Sequence, residues 1–375
     1  MTLPLFTKAT LTAIAVAFSS AVFAPVATAD TIEPRIKDRR IGYAMTRRAW
    51  AVHRTPGFKI ECPTGLNDGP REQFAQLFPQ DKGQKWTLVE TQLAREADIY
   101  FPGRNEDGFV FKDAQGKVAP GLNLDNKVDA NDFTNAEGTK GVDNQLFRAL
   151  GCLAGWNGDG IPFINFQDTT YLRRHISNRY MFEISEVDDL TNDPEVIVTT
   201  YRGLDPLLSD STGEGFIPGG TQRVDERFGK IYQTRLKGKI VDGVLITEPA
   251  DGLIPNSIAF DTSAHQLLRG MQFHLKLTPE RATGVIGGYA DIYSWMLQFK
   301  TSWGTHHAAY GQVASQSLTR AMYRLADGYP DETGQNTALS AALDGDWVQV
   351  YIQHPPKSVA VNETAPGAAA SAAER

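Results

Sequence analysis

The alternation of apolar and polar residues between positions 171 and 292 constrains the fold of this 375-residue chain most strongly. In one segment Phe182 and Ile184 alternate with Glu183 and Ser185, and residues 271–277 repeat the pattern. Further strand-forming runs at 196–201, 231–236, 239–247 and 285–290 are separated by Gly, Pro, Asn and Asp. A period of two is typical of strands with one buried face. It predicts an antiparallel β-sandwich or jelly-roll-like core, since no helix fits between the strands as a parallel α/β fold requires.

Helical patterns lie on both sides of this predicted sheet. The capping-box spacing of Thr87 and Glu90 predicts a helix over 87–97, and residues 143–150 form another that ends at Gly151. Apolar residues from Ala314 to Leu325 follow a period of 3.6 and predict a helix that ends near Gly328. Residues 293–303 are predicted as another helix, and residues 347–352 suit a last strand. Because an apolar helix face must be buried, we expect the C-terminal helices to pack on the sheet. The predicted class is mainly β (α+β).

Composition divides the chain into four parts. We expect a signal peptide at 1–29, a mixed loop and helix region at 30–166, the β-sandwich with its C-terminal helices at 167–354, and a disordered tail at 355–375. The tail is rich in Ala, Pro, Ser and Thr and has few large apolar residues to bury. Whether the two central parts form one domain or two stays open on sequence grounds.

The first 29 residues indicate export. Lys8 precedes an apolar stretch at 11–23, and Ala27-Thr28-Ala29 supplies the small residues of a signal-peptide cleavage site. The apolar stretch is too short and too rich in Ala, Ser and Thr for a stable membrane span, and no other run approaches about 18 apolar residues. We therefore expect a mature protein without a transmembrane segment, in the periplasm or secreted from the cell.

The two cysteines, Cys62 and Cys152, form an even count in a chain predicted to be exported. The first hypothesis is a disulfide bond between them. The alternatives are two buried free thiols or a metal pair. Neither cysteine lies in a CxxC or CxxCH motif, which argues against haem attachment and a thioredoxin-type redox site.

Charge is distributed unevenly in this chain. The formal net charge of −7 at pH 7 argues against nucleic acid as a partner. Basic residues nevertheless crowd one segment: Arg35, Lys37, Arg39, Arg40, Arg47, Arg48, Arg54 and Lys59. This run is either an arm that docks on an anionic surface or a solvated face that pairs with acids elsewhere in the same chain.

Residues 121–132, Gly-Leu-Asn-Leu-Asp-Asn-Lys-Val-Asp-Ala-Asn-Asp, carry the sharpest chemical signal. Side-chain oxygens occur at the third, fifth, ninth and twelfth positions, which is the spacing of an EF-hand loop. Over these twelve residues alone, the segment resembles the calcium loop of EF-hand and dockerin-type proteins. The resemblance implies the following ligands for Ca²⁺: the side chains of Asn123, Asp125, Asp129 and Asp132, and the backbone carbonyl of Lys127.

The loop departs from the calcium pattern at two positions. Asn126 replaces the expected Gly, a mild change because Asn tolerates positive φ. Gly121 replaces the first Asp, which removes a carboxylate, so a water or a carboxylate from elsewhere, such as Asp143, would have to substitute. The alternative interpretation is an Asx-rich surface turn.

A second acidic patch, Glu186, Asp188, Asp189, Asn192 and Asp193, lies between two predicted strands. Such a loop is either another calcium site or, the interpretation we favour, a polar hairpin turn.

These features favour a binding or assembly protein over an enzyme. The leading hypothesis is an exported, calcium-stabilised β-rich protein that acts as a binding or assembly component on an extracellular or periplasmic ligand. The alternative is a secreted hydrolase acting on a polysaccharide or ester, since a glycosidase needs only two well-placed carboxylates. The chain contains no G-x-S-x-G motif, and its 44 acidic residues do not single out a catalytic pair. The ligand, substrate and oligomeric state stay open.

Overall fold

The structure is a computed structural model that describes residues 35–50, 60–67, 111–153, 178–213, 215–256, 265–301 and 315–355. These residues belong to one compact unit, Pro34–Arg375. The predicted signal peptide at 1–29 and the predicted helix at 87–97 lie outside the described residues, as does the predicted tail after residue 355.

Strands dominate the described residues. The strands are β1 (Arg40–Trp50), β2 (Phe133–Thr134), β3 (Lys140–Val142), β4 (Tyr180–Ser185), β5 (Asp193–Arg202), β6 (Gly220–Arg223), β7 (Arg235–Val241), β8 (Val244–Thr247), β9 (Ala250–Pro255), β10 (His265–Leu277), β11 (Arg281–Asp291), β12 (Gly328–Pro330) and β13 (Asn336–Gln353). The helices are α1 (Gln145–Leu150), α2 (Ile292–Thr301) and α3 (Ser315–Leu325), with a 3-10 turn at Glu226–Phe228. The mainly β class predicted from the sequence is confirmed.

Eight of these strands close into a barrel. Their order is β1, β4, β5, β7, β8, β10, β11 and β13, and β13 pairs back with β1. All neighbours in this ring are antiparallel. The predicted sandwich of two packed sheets is not confirmed, because the pairing forms one closed sheet. Sandwich and barrel strands both alternate between a buried and an outer face, so the period of two does not distinguish them.

Aromatic side chains fill the interior of the barrel. The ring of Phe182 lies 5.3 Å from that of Tyr43, 5.4 Å from Phe273 and 6.0 Å from Trp347, measured between centroids. All four side chains are buried. The rings of Tyr43 and Phe182 are stacked and the other two pairs meet edge to face; aromatic contacts of both kinds add to the free energy gained from burial. An eight-stranded barrel is just wide enough for such side chains, so its interior is a packed core.

A second apolar cluster covers part of the outer barrel wall. It contains Ala44, Met181, Tyr201, Val348 and Val350 from the wall, covered by Leu207, Phe216 and Val224 from the segment before β7. Strand β1 is therefore buried on both faces from Ile41 to Trp50. A strand buried on both faces lacks the alternation of polar and apolar residues, which is why the sequence pattern did not reveal β1.

The basic run of the sequence supplies ion pairs within the chain. Arg39 lies 2.6 Å from Asp188, and Arg40 lies 3.0 Å from Glu183. Arg47, buried on β1, lies 2.9 Å from the carboxylate of Asp344. The structure therefore favours pairing with acids elsewhere in the chain over an arm that docks on a surface.

One predicted strand is a hairpin. The run at 239–247 was predicted as one strand, but the chain reverses at Asp242 and Gly243 between β7 and β8. Both residues have positive φ, 49° and 77°, as a two-residue type I′ turn requires. The Asp-Gly pair was the signal for this turn, and the apolar residues around it obscured the signal.

The helices pack against one side of the sheet. Helix α2 contacts β10, β11 and β13, and α3 contacts β13, α1 and α2. These are the two C-terminal helices expected from the sequence. No helix in the described parts of the chain is long and apolar enough to cross a lipid bilayer.

The predicted disulfide is confirmed. Cys62 and Cys152 are bonded, with their Cα atoms 5.7 Å apart and a sequence separation of 90. Cys152 directly follows the end of α1 at Gly151. The bond therefore fixes segment 60–67 beside the helix that follows the calcium-like loop.

Candidate functional site

The calcium-like loop is an irregular segment whose backbone already has part of the predicted geometry. Asn126 has a φ of 62°, the left-handed conformation that the EF-hand pattern gives to Gly. The carboxylate of Asp125 accepts the amide hydrogen of Lys127 at 2.8 Å. Gly121 has a φ of 154°, and a side chain there would lie 2.8 Å from Cγ1 of Val142. This position therefore has no room for the aspartate that the pattern expects.

Two of the residues predicted to bind Ca²⁺ are hydrogen-bonded to each other in this structure. Nδ2 of Asn123 donates to the carbonyl oxygen of Lys127 at 2.7 Å. Oδ1 of Asn123 is buried and accepts a hydrogen bond from no described residue. A buried amide oxygen without a donor is unfavourable, and a cation is one partner that would satisfy it. To act as a ligand, however, the Lys127 carbonyl would have to leave Asn123.

Asp143 is attached to the loop by one backbone hydrogen bond and one hydrogen bond to its carboxylate. Its amide donates to the carbonyl of Leu122 at 2.9 Å, and its Oδ2 accepts the amide hydrogen of Leu124 at 2.7 Å. The next residue, Asn144, caps α1 by accepting the amide hydrogen of Phe147 at 3.1 Å. The helix predicted from residue 143 thus begins two residues later, which leaves the Asp143 carboxylate beside the loop.

A more distant residue, Asp327, joins the same site. It lies between α3 and β12, and its two carboxylate oxygens accept hydrogen bonds from the amide and hydroxyl of Ser340 at 2.7 and 2.6 Å. The Ser340 hydroxyl oxygen in turn accepts the amide hydrogen of Gln145 at 2.9 Å. This network fixes Asp327 against α1 and β13.

These elements enclose a cavity of about 290 Å³ that we call the carboxylate pocket. Five carboxylates line it: Asp125, Asp129, Asp132, Asp143 and Asp327. Two arginines line it too, but Arg324 forms an ion pair with Asp113 at 2.6 Å, and Arg148 stacks on Phe133 at 4.2 Å. Three of the four predicted side-chain ligands therefore share a pocket with the substitute carboxylate considered from the sequence.

Negative charge is crowded in the carboxylate pocket. The pKa of Asp143 is raised to about 6, mainly by burial and also by the charges of three neighbouring carboxylates, while the hydrogen bond from the Leu124 amide opposes the rise. The three carboxylates are Asp125, Asp132 and Asp327. The pKa of Asp327 is also raised, first by desolvation. The pKa of the Tyr289 hydroxyl in the pocket wall is raised as well, first by desolvation and then by the carboxylates of Asp143, Asp327 and Asp125. A cation in the pocket would relieve this repulsion.

The carboxylates do not converge on one point. Among the described residues, no group of three or more His, Cys, Asp or Glu side chains is arranged to hold a metal ion. The donor set suits a hard, oxygen-preferring cation such as Ca²⁺. Binding would require the loop carboxylates to move toward Asp143.

The second acidic patch has the contacts of a polar turn. Asp188 pairs with Arg39, and Asp189 accepts the amide hydrogen of Thr191 at 2.9 Å. Oδ2 of Asp193 accepts the amide hydrogen of Asp188 at 2.8 Å. These contacts favour the turn interpretation.

Comparison with known proteins adds no relative. No protein-family model, curated protein or solved structure matches the chain. The function of the pocket therefore has to be argued from its own chemistry.

Proposed function

We propose that this protein is an exported binding or assembly component whose carboxylate pocket binds Ca²⁺. The observation that carries the proposal is the placement of Asp143, which lies against the loop whose first position lacks an aspartate. Asp125, Asp129 and Asp132 would supply the other carboxylates, with Asn123 and the Lys127 carbonyl completing an oxygen-rich set. Asp327 would add a ligand from the C-terminal part of the chain.

The ion would have a structural role in this function. It would join the loop, α1 and the segment after α3, three parts of the chain that the disulfide and the Ser340 network already hold close together. Extracellular calcium-binding modules bind the ion with dissociation constants of about 10⁻⁴ to 10⁻³ M, which suits a protein outside the cytoplasm. The ligand that the protein recognises is a separate question from the ion.

Terbium luminescence tests this proposal directly. Tb³⁺ resembles Ca²⁺ in its preference for oxygen ligands, and a nearby tyrosine sensitises its emission. Because Tyr289 lines the pocket, we expect saturable emission on excitation of aromatic residues, with Ca²⁺ competing for the site. Tyr289→Phe should reduce the emission without changing Ca²⁺ affinity. Asp143→Asn should weaken Ca²⁺ binding about tenfold, since affinity follows the number of charged ligands.

The matched control is Glu137→Gln, which removes an exposed carboxylate outside the pocket. Ca²⁺ at about 100 times its dissociation constant should stabilise the protein by about 2.7 kcal/mol, and Asp125→Ala should abolish the difference in melting temperature between calcium and excess chelator. Absence of saturable emission, or equal Ca²⁺ affinity in the Asp143→Asn and Glu137→Gln variants, would contradict the proposal.

A second candidate function is hydrolysis of a polysaccharide or ester. The observation in its favour is that the pKa of Asp143 is raised to about 6 in a pocket with four other carboxylates, because a general acid has to hold its proton near neutral pH. If the pocket is hydrolytic, Asp143→Asn should abolish turnover of a chromogenic substrate while Tb³⁺ emission stays at background.

The calcium-free protein should lose stability between pH 4 and pH 6 because of Asp143. The pKa of this carboxyl is about 6 in the folded protein and about 3.9 in an unfolded chain, so the folded state binds the proton more tightly. The resulting stabilisation is complete below about pH 4 and is lost as the pH rises through about 6, a difference of about 2 to 3 kcal/mol. Urea unfolding in chelator at several pH values measures it. Asp143→Asn should flatten the profile relative to wild type, whereas an unchanged profile would show that Asp143 is not desolvated.

A further inference from the structure

The pairing of β1 with β13 stops two residues short of the start of β1. Their ladder begins at Gly42 and Val350, although β1 starts at Arg40. From Val350 onward, β13 pairs in parallel with β6. Among the described strands, Arg40 and Ile41 pair only with β4, and a cavity of about 750 Å³ lies beside this end of β1 and β13. We call it the seam cavity. It shares no lining residue with the carboxylate pocket.

One part of the seam cavity is apolar. Ile41 and Val350 are buried in its wall, and Ile352 is half-buried over Gly42. Tyr351 also lines the cavity and exposes 39 % of its surface. Because Ile41 and Val350 are already covered by other residues, Tyr351 and Ile352 supply the apolar surface that a ligand could contact.

The polar part of the cavity is arranged around Glu183. This side chain is only 7 % exposed, and each of its two oxygens contacts the nitrogen of a different side chain. Oε1 lies 3.0 Å from Nη1 of Arg40, and Oε2 lies 2.9 Å from Nε2 of His354. Since each oxygen already has a donor, the carboxylate offers little to a cationic ligand.

Hydrogen-bond donors of two basic side chains remain at the rim. Lys37 is exposed, and no described acid lies within ion-pair distance of its ammonium group. The side chain of Arg40 is 52 % exposed and carries more N–H groups than the contact with Glu183 uses. Asp38 also lines the rim, so recognition would depend on directed donors and not on net charge.

We propose that the seam cavity binds a small amphipathic organic anion, an apolar chain with a carboxylate or phosphate head. The chain would lie on Tyr351 and Ile352, and the head would accept hydrogen bonds from Lys37 and Arg40. A volume of about 750 Å³ lies within the usual range for small-molecule sites. The inference goes beyond calcium binding and does not depend on it.

Calorimetry with decanoate, octanoate and decanol tests both halves of the site. Decanoate should bind wild-type protein about tenfold more tightly than octanoate, because two methylene groups are removed from water. Lys37→Gln should lower the affinity for decanoate about fivefold to tenfold and leave the affinity for decanol unchanged, since decanol lacks the charged head. Thr221→Trp, at an exposed residue of the cavity wall, should abolish binding of all three.

The matched control is Lys239→Gln, which removes an exposed lysine of β7 outside the cavity. Every titration is run once in chelator and once in calcium, so that a loss of decanoate binding can be distinguished from a loss of calcium binding. Circular dichroism checks that each variant is folded. Three results would overturn the proposal: no decanoate binding up to about 1 mM, equal affinity for octanoate and decanoate, or equal effects of Lys37→Gln and Lys239→Gln. Binding to phosphatidylglycerol vesicles without binding of free decanoate would overturn it as well, since the cavity would then not enclose a single molecule.

Discussion

Replacing Phe182 with alanine should lower the free energy of unfolding by about 3 to 5 kcal/mol. The ring is fully buried between Tyr43, Phe273 and Trp347, so truncation removes apolar area and leaves a void. A closed ring of hydrogen-bonded strands limits how far the backbone can collapse into that void. The loss should therefore lie near the upper end of the range for buried aromatic residues.

Urea unfolding followed by tryptophan fluorescence measures this loss. Tyr293→Ala on α2 is the matched control, because that aromatic side chain is 73 % exposed and its removal should change the free energy by less than about 1 kcal/mol. The loss of unfolding free energy for Phe182→Leu should lie between the losses for these two variants. If Phe182→Ala destabilised the protein no more than Tyr293→Ala, the barrel interior would not be the packed core described above.

The sequence predicted strands well where one face is buried and the other is polar. Strand β10 has this alternation and was located from it. Strand β4 was located from the alternation of Phe182 and Ile184 with Glu183 and Ser185, although the structure buries both of its faces. It could not decide between a sandwich and a barrel, because that choice depends on whether β1 pairs with β13. Their paired residues, such as Gly42 and Val350, are about 300 residues apart in sequence, and nothing in either segment indicates the other.

Strand β1 shows a different limit of sequence reasoning. Arg47 and Arg48 suggested a solvated basic face, yet both are buried on β1. Arg47 is paired with Asp344 and Asp346, and Arg48 donates to the carbonyl of Pro255. Burial of charged groups becomes acceptable only when such partners exist, and the partners come from distant strands.

The carboxylate pocket was predictable to the extent that its groups are local. The spacing of Asp125, Asp129 and Asp132 identified the loop, and the gap at Gly121 directed attention to Asp143. Asp327 could not have been found this way, because only the packing of α3 and β13 brings it to the loop. The same reason applies to the seam cavity, where Glu183 and His354 meet across 171 residues of sequence.

Calcium binding and the disulfide should stabilise the same region by different means. The ion would join groups in the folded state, whereas the disulfide acts mainly by restricting the unfolded chain. Segment 60–67 and the end of α1 would remain tethered even if the loop opened. The proposed calcium site could therefore lose its ion without separation of these two segments.

Removing the disulfide should lower the free energy of unfolding by about 4 kcal/mol in a Cys62→Ser, Cys152→Ser double variant. The bond closes a loop of 90 residues, and in the chain-entropy model a loop of this length restricts the unfolded state strongly. Cys152 is also buried beside α1, so the serine hydroxyl adds a smaller loss through desolvation. The unfolded variant should be more expanded, which predicts a larger dependence of stability on urea concentration.

Urea titrations of wild type and double variant, each with and without dithiothreitol, measure this effect. Wild type in the reductant should approach the stability of the double variant, and the reductant should leave the double variant unchanged. Terbium titration of the reduced, still folded protein then tests whether the carboxylate pocket depends on the bond. We expect an affinity within about threefold of the oxidised protein, because the hydrogen bonds of Asp143 and Asp327 do not involve either cysteine. A double variant as stable as wild type would show that the bond does not restrict the unfolded chain.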